Sequence, residues 1–508
     1  MAYKIAAAID IGSSAVRMEI SEKRKSEVKC LEFLQSPLYL GHDTFTRGRI
    51  SFEKIERLCE ILNSYLDTAN QYGVPTVETV ATTAFREAEN KEYVLDLVKL
   101  KTGISVRILE DPEEKTIMYR EMLRRDEGSW KNAVISYVGT GSLGIAIMEK
   151  GLLRFTQNIR IGSLKLSEIL EPVEGYTKKF HMIIEQYIST YIDVLKNLLS
   201  LDRKTEFVAS GKEIDLIARL MDIEITDSFF TIPKKAYVDF YDSIKTLTPM
   251  QIADMFDLPQ DRAEILLPSA ALFKILMDFS KSDTLTGCNI TMCDALVYKE
   301  LYPNKFDKVN ARFNKSIINS AIFAARRFRY DRTHIAAVYD YSTIIFDSIR
   351  EVHGLSDREK LLLQIACILH DCGKFVNLKE HYDHSYDLIK RLSLPGLNSR
   401  ELNIIANVSK YHSDMVPKPE HDNFSSLDSN DRVLVAKLSA IIRLGDSLDK
   451  SHLQKFGEID AVYNNNELVI TAKTGGEATL EEWAFSQKAV FFNDVFGIRA
   501  TLMIERTM

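Results

Sequence analysis

The sequence predicts an α/β class for residues 1–304, an all-α class for residues 305–455 and a small α/β tail over residues 456–508. Three observations carry this. Residues 3–20 and 131–148 each read as apolar strand, glycine-containing turn, apolar strand. Further on, apolar residues recur at helical spacing in DRTHIAAVYDYSTIIF, in LLLQIACILHDCGKFVN and in the run leading to RLGDSLD. After Asp449 short apolar runs return, predicting strands over 458–462, 467–472 and 500–504 and a helix near 480–485.

The totals bound what such a chain can do. Its 508 residues, 45% apolar and 27% charged, leave room for four domains, predicted at 1–125, 126–304, 305–455 and 456–508. A net charge of −7 gives no whole-molecule attraction to a polyanion, so an anion site must be local and no specific nucleic acid is expected. The six cysteines form no CxxC pair, which argues for a reducing compartment over a disulfide framework or zinc ribbon. No apolar run approaches the roughly 18 residues of a membrane helix. Asp10 also interrupts the first apolar run too early for a signal peptide. The expectation is a cytoplasmic protein without membrane association.

In chain order, the first turn is Asp10-Ile-Gly-Ser-Ser, followed by Val16 and Arg17. Backbone N–H groups and hydroxyls of such a turn can face a phosphate, with Asp10 beside it to hold a metal or a water. TVATTAFREAEN then predicts a strand and a helix whose first turn presents Thr82, Thr83 and Arg86, the last suited to bidentate phosphate contact. Residues 104–109 alternate as a strand, and Pro112 opens a helix with Glu113 and Glu114 in its first turn. Gly139, Thr140, Gly141 and Ser142 make a second candidate phosphate turn, and Gly211 stands at a strand-to-helix turn whose amides favour anions. The repeated hairpin resembles the internal duplication of an actin-like (RNase H-like) fold of two lobes.

Residues 305–332 carry Arg312, Lys315, Arg326, Arg327, Arg329 and Arg332 against few acids, a basic stripe that would draw a long anion. Next, His334, the pair His370-Asp371 and Asp446 lie on three successive helical runs. An imidazole and a carboxylate are borderline-to-hard ligands suited to Mg, Mn, Fe or Zn. This order, with the RLGDSLD context, resembles the HD superfamily of metal-dependent phosphohydrolases. That resemblance implies a metal set of His334, His370, Asp371 and Asp446, with Asp371 able to bridge a second ion. His381 or His384, and His412, are then candidate ligands or substrate contacts for that ion, and Lys374 a cation for developing phosphate charge.

DIGSSAVRM, ATTAFREAEN, EEKTIMY, VGTGS and NIRIGSLKL occur in the order of the Ppx/GppA family of exopolyphosphatases and guanosine pentaphosphate phosphohydrolases, and RAEILLPSAALF looks like its second-lobe helix. The resemblance spans nearly the whole chain. It implies a phosphoanhydride hydrolase acting on polyphosphate or pppGpp, dependent on a divalent metal, Mg or Mn, with Fe or Zn as candidates at the HD site, and commonly a homodimer. Residue by residue, Glu114 matches the catalytic glutamate, with Glu113 its neighbour. Asp10, Gly12, Ser13 and Arg17 match the first phosphate turn, with Ser14 and Ala15 replacing its usual Asn-Ser. Arg86 matches a phosphate-side arginine, and Gly139, Gly141 and Ser142 match the second turn.

Two departures bear on chemistry. The family's second turn begins with Asp and carries a Glu after its Ser-Thr, carboxylates that help hold the ion or the water. Tyr137 and Gly144 stand at those positions, while Thr140 and Leu143 replace a glycine and the threonine. Losing two negative charges should lower Mg affinity. Three readings follow: hydrolysis between the lobes, hydrolysis at an HD metal site with the lobes as a phosphate or nucleotide sensor, and a non-catalytic sensor.

Overall fold

The two predicted hairpins each seed a sheet. The computed structural model describes residues 4–506 except 25–26, 175–178, 200–203 and 226–227. It forms two compact units, Met1–Phe313 and Asn314–Met508.

In the first unit, strands β1 (Ile5–Ile11), β2 (Ala15–Arg24), β3 (Glu27–Pro37), β4 (Val77–Ala81) and β5 (Arg107–Ile108) form a sheet of order β3-β2-β1-β4-β5. β1 is antiparallel to β2 and parallel to β4. Strand β1 is buried from Ala6 onward, so it reads as a continuous apolar run rather than an alternation. The helix Phe52–Gln71 lays Ile55, Leu58, Leu62 and Tyr65 into the core of this sheet. Its apolar residues recur every three or four positions, as one buried face requires. The strand expected over 104–109 shrinks to Arg107–Ile108, because it lies at the sheet edge and pairs with only two residues of β4.

A second sheet repeats the plan. Strands β6 (Ala133–Val138), β7 (Leu143–Glu149), β8 (Leu152–Ile159), β9 (Glu206–Ser210), β10 (Phe229–Pro233) and β11 (Thr284–Cys288) take the order β10-β11-β9-β6-β7-β8. Again the first strand is antiparallel to its hairpin partner and parallel to the strand beyond. The helix Gln260–Ser280 is buried nearly all round, and Pro268 inside it is tolerated in that packed setting.

The second unit is mainly helical. Helices Arg332–Ser348, Asp357–Leu369, His381–Lys390, Ser399–Lys410 and Ser429–Ser447 are followed by strands β12 (Glu458–Asn464), β13 (Glu467–Thr474) and β14 (Arg499–Arg506). The predicted tail helix extends over Thr479–Phe496 and precedes β14, which pairs parallel to β13. No helix among the described residues is long and apolar enough to cross a membrane.

Candidate functional site

The two hairpin turns of the first unit are closed by the same bond. Gly12 N–H donates to Ala15 O at 3.0 Å, and Gly139 N–H donates to Ser142 O at 2.9 Å. Both turns line one cleft, together with Asp10, Ser13, Arg17, Thr82, Thr83, Glu114, Tyr137, Thr140 and Lys212. Asp10 and Arg17 are cross-strand partners in β1 and β2, and Arg17 Nη1 donates to Asp10 Oδ2 at 2.9 Å. Asp10 Oδ1 and Ser13 Oγ are buried without a protein partner. Burial raises the Asp10 pKa against the pull of the Arg17 guanidinium.

Glu114 is delivered by the first turn of helix Asp111–Asp126, which has Pro112 as its second residue and carries three acidic residues where the helix dipole favours them. The carboxylate is buried and held from both sides. Arg86 Nη1 lies 3.3 Å from Oε2, and Lys115 Nζ donates to Oε1 at 3.1 Å. Arg86 is itself fixed by Leu109 O at 2.7 Å and Thr83 Oγ1 at 3.0 Å. Lys115 also donates to Ser142 Oγ at 2.6 Å and lies 4.8 Å from the Tyr137 ring centre. Thus Asp10, Gly12, Ser13, Arg17, Glu114, Gly139 and Thr140 share the cleft, Arg86 borders it through Glu114, and Ser142 reaches it through Lys115. Gly141 is packed against Thr83, where an added Cβ would meet Thr83 Cγ2 at 2.5 Å. Glu113 points elsewhere, paired with Arg107.

Sequence reasoning missed Lys115 and Lys212. A lysine directly after two glutamates reads as surface charge, and only its 1% exposure marks it as part of the site. Burial, with Arg17 and Arg262 nearby, pulls the Lys212 pKa down to about 7.

The second unit gathers another set. His334 follows the N-cap Asp331 of its helix, His370 caps Asp357–Leu369, and Asp446 lies in the last turn of Ser429–Ser447. His334 Nε2 stands 3.8 Å from Asp371 Oδ2 and 3.5 Å from Asp446 Oδ1, and His370 Nε2 stands 3.5 and 3.8 Å from the same two atoms. His334 Nε2, His370 Nε2 and Asp371 Oδ1 are buried without hydrogen-bond partners. Their opposite ring nitrogens are anchored, His370 Nδ1 on Cys367 O at 2.8 Å and His334 Nδ1 on Asp449 Oδ2 at 2.9 Å. Converging orphan donor atoms backed by such contacts fit a divalent ion, and three side-chain groups here can hold one. Burial lowers the pKa values of His370 and His412, the latter to about 3, whereas against burial the hydrogen bonds to Asp446 and Asp449 raise that of His334 to about 9, so His334 alone of the three would give up a proton to an ion.

On the far side of Asp371, His381 Nε2 and His412 Nε2 lie 3.3 and 3.7 Å from Oδ1. Lys374 Nζ is bonded to Asp371 Oδ2 at 2.5 Å. His384 joins none of the ion-holding groups among the described residues. His452, stacked on His334 at 3.6 Å, and the anchor Asp449 escaped sequence reasoning. The repeated aspartate of GDSLD was the available signal for Asp449. Of the basic stripe, Arg312 is engaged by Asp126 at 3.5 Å, whereas Lys315, Arg326, Arg327, Arg329 and Arg332 are exposed.

Residues 19–302 match the model of the Ppx/GppA phosphatase family, and residues 318–481 match that of Ppx/GppA phosphatase, domain III. Guanosine-5'-triphosphate,3'-diphosphate pyrophosphatases of Photobacterium profundum and Vibrio vulnificus are each 20% identical, over 86% of this chain and 86% of theirs. Similar solved structures include the Aquifex aeolicus member of the Ppx/GppA family, with a TM-score of 0.52 and 20% identity. An exopolyphosphatase from Cytophaga hutchinsonii gives a TM-score of 0.53 at 17% identity. Each covers 60% of this chain and 99% of its own.

Proposed function

This chain belongs to the Ppx/GppA phosphatase family, and we propose that it releases terminal phosphate from inorganic polyphosphate or pppGpp in the cleft of its first unit. The observation that carries this is the convergence of two phosphate-type turns with Arg17 and the buried Glu114 on one cleft, with Arg86 bordering it through Glu114. The turn amides and the two arginines bind and neutralise the terminal phosphate. Glu114 orients a water in line with the bridging bond. As the water oxygen bonds to phosphorus, the bridging P–O bond breaks. The shortened chain leaves as an anion, and the water's proton passes to Glu114 and on to solvent. Holding the carboxylate between Arg86 and Lys115 fixes its direction, which suits phosphoryl transfer, where positioning and charge stabilisation dominate. The relatives named as pppGpp pyrophosphatases support the guanosine substrate, and the fold likeness extends to an exopolyphosphatase.

A second reading rests on the His334, His370, Asp371 and Asp446 cluster, an HD-type metal site in the second unit. A divalent ion there would supply Lewis acidity for phosphoester hydrolysis. Lys374 holds Asp371 in place, and the exposed Lys315 to Arg332 stripe is suited to a long anion. A cytoplasmic setting is part of the proposal, in keeping with six free cysteines, five of them buried, and the homodimer is carried over from the family resemblance.

Phosphate release from both substrates by wild type, Glu114→Ala and Asp371→Ala separates the readings. Loss in Glu114→Ala alone supports the cleft; loss in Asp371→Ala alone moves the chemistry to the second unit and leaves the lobes as a sensor.

A further inference from the structure

The cleft holds no three-ligand set for a divalent ion among the described residues. Among the described residues, every group of three ligand atoms lying within 4.8 Å of one another is in the second unit. Of the cleft carboxylates, Asp10 is paired with Arg17 through Oδ2, Glu114 is held by Arg86 and Lys115, and Glu213 accepts from Ser163 Oγ at 3.0 Å, which leaves Asp10 Oδ1 and Glu213 Oε2 as the open oxygens. Beside the cleft, Asp111 accepts from Ser142 Oγ at 3.1 Å and lies 3.6 Å from Lys115 Nζ.

The two departures in the second turn share one place in the fold. Tyr137 and Gly144 are direct cross-strand partners in β6 and β7, so they face the same side of the sheet. Lys115 covers that side. A Cβ on Gly144 would stand 2.9 Å from Lys115 Cδ and 2.6 Å from Tyr119 Oη, so the stem of Lys115 fills the space a longer residue would take. Its ammonium sits over the Tyr137 ring with Glu114, Asp111 and Ser142 as partners. Where the resemblance implied two carboxylates that help hold an ion or a water, this chain carries one buried cation, an uncharged ring and no side chain.

We propose that the Lys115 ammonium, buried behind Glu114, takes the place of a divalent ion at the second turn of this cleft, holding Glu114 and Ser142 in place and stabilising the charge on the departing phosphate without a divalent ion bound by these lobes. The inference rests on the cleft being the hydrolytic site. It makes Lys115 a positioning residue acting through Glu114, with its charge felt by the substrate across the same short network.

The test measures phosphate release from polyphosphate and pppGpp by the full chain after exhaustive chelation, then with added Mg²⁺ or Mn²⁺. Wild type, Lys115→Ala, Lys115→Met and Glu114→Ala are compared, with bound Mn²⁺ counted by electron paramagnetic resonance on the same samples. Wild type should keep roughly half or more of its activity after chelation, and both lysine variants should fall by about a hundredfold. Added metal should recover roughly tenfold in Lys115→Ala, where space and negative charge are left behind, together with one more Mn²⁺ per chain than wild type. Lys115→Met, whose stem still fills the space, should recover nothing. A merely structural lysine would not show this split. Wild-type activity abolished by chelation, with the lysine variants equal to wild type once metal is added, would overturn the inference and leave the cleft hydrolysis standing. No release under any condition, or full activity in Glu114→Ala, would remove the cleft reading and this inference with it. If neither lysine variant unfolds cooperatively, the response of wild type to chelation decides.

Discussion

His334 Nδ1 lies 2.9 Å from Asp449 Oδ2, and this contact aims the opposite nitrogen of the ring at Asp371 and Asp446. A carboxylate behind a ligating histidine fixes the tautomer and strengthens the ligand, and its loss typically costs about 10–100-fold in metal affinity. Asp449→Asn should therefore weaken Mn²⁺ binding to the second unit by about that factor in calorimetric titration, while the proposed ligands stay in place. Unchanged affinity would mean that the helices alone orient His334.

Arg86 joins three parts of the cleft through one guanidinium: Leu109 O at 2.7 Å, Thr83 Oγ1 at 3.0 Å and Glu114 at 3.3 Å. Arg86→Ala should lower kcat for phosphate release by about 10²–10³-fold, the usual loss when a preorganised donor is removed. Arg86→Lys should not restore it, because an ammonium cannot span those acceptors as a planar fork does. A kcat within threefold or so of wild type in either variant would assign Arg86 a packing role only.

What the sequence revealed and what it hid divide on physical lines. Both hairpin turns, the helix start at Pro112 and the helices carrying His334, His370, Asp371 and Asp446 were readable because each is a local pattern, whereas the roles proposed for Glu114 and for those four rest on resemblance. A turn needs its glycine, a helix start attracts acids, and a buried helix shows its apolar period. Lys115, Lys212 and His452 were not, because their roles come from tertiary burial, and an isolated lysine or histidine carries no periodic signal. The strand over 104–109 was overread for the same reason: alternation is local, but how much of a strand pairs depends on its neighbour, and β4 offers only two partners. Tyr137 and Gly144 were noticed as departures, yet only their cross-strand pairing under Lys115 explains them together.

Gly162 passes directly over the second turn. A Cβ there would lie 2.4 Å from Gly139 O and 2.5 Å from Gly141 N, both backbone atoms that cannot swing aside. Ser163 N–H donates to Gly139 O at 3.1 Å, and Leu164 and Lys165 N–H donate to Thr140 O, so this segment clamps the turn. Gly162→Ala should destabilise the protein by about 1–3 kcal/mol through overpacking. Because the displaced backbone is the phosphate turn, KM should rise as well. Chemical denaturation and steady-state kinetics check the two halves separately. Lost stability with an unchanged KM would show that the second turn takes no part in binding.

Lys212 lines the cleft with its pKa drawn down to about 7 by burial and by Arg17 and Arg262. In the free protein its ammonium is therefore present below about pH 7 and lost above it. A bound phosphate anion favours the charged form, so substrate binding above that pH must take up a proton. By linkage the apparent KM should climb by up to about tenfold for each pH unit above 7. Lys212→Gln should instead show a high KM at low pH that lacks this rise. Ionisation of the substrate itself is common to both proteins, so the ratio of the two KM values isolates the lysine. That ratio should favour wild type most strongly in acid and shrink toward one as the pH passes 8. A ratio that stays constant across this range would mean that Lys212 keeps one charge state throughout, and that the cleft's attraction for phosphate is set by the arginines alone.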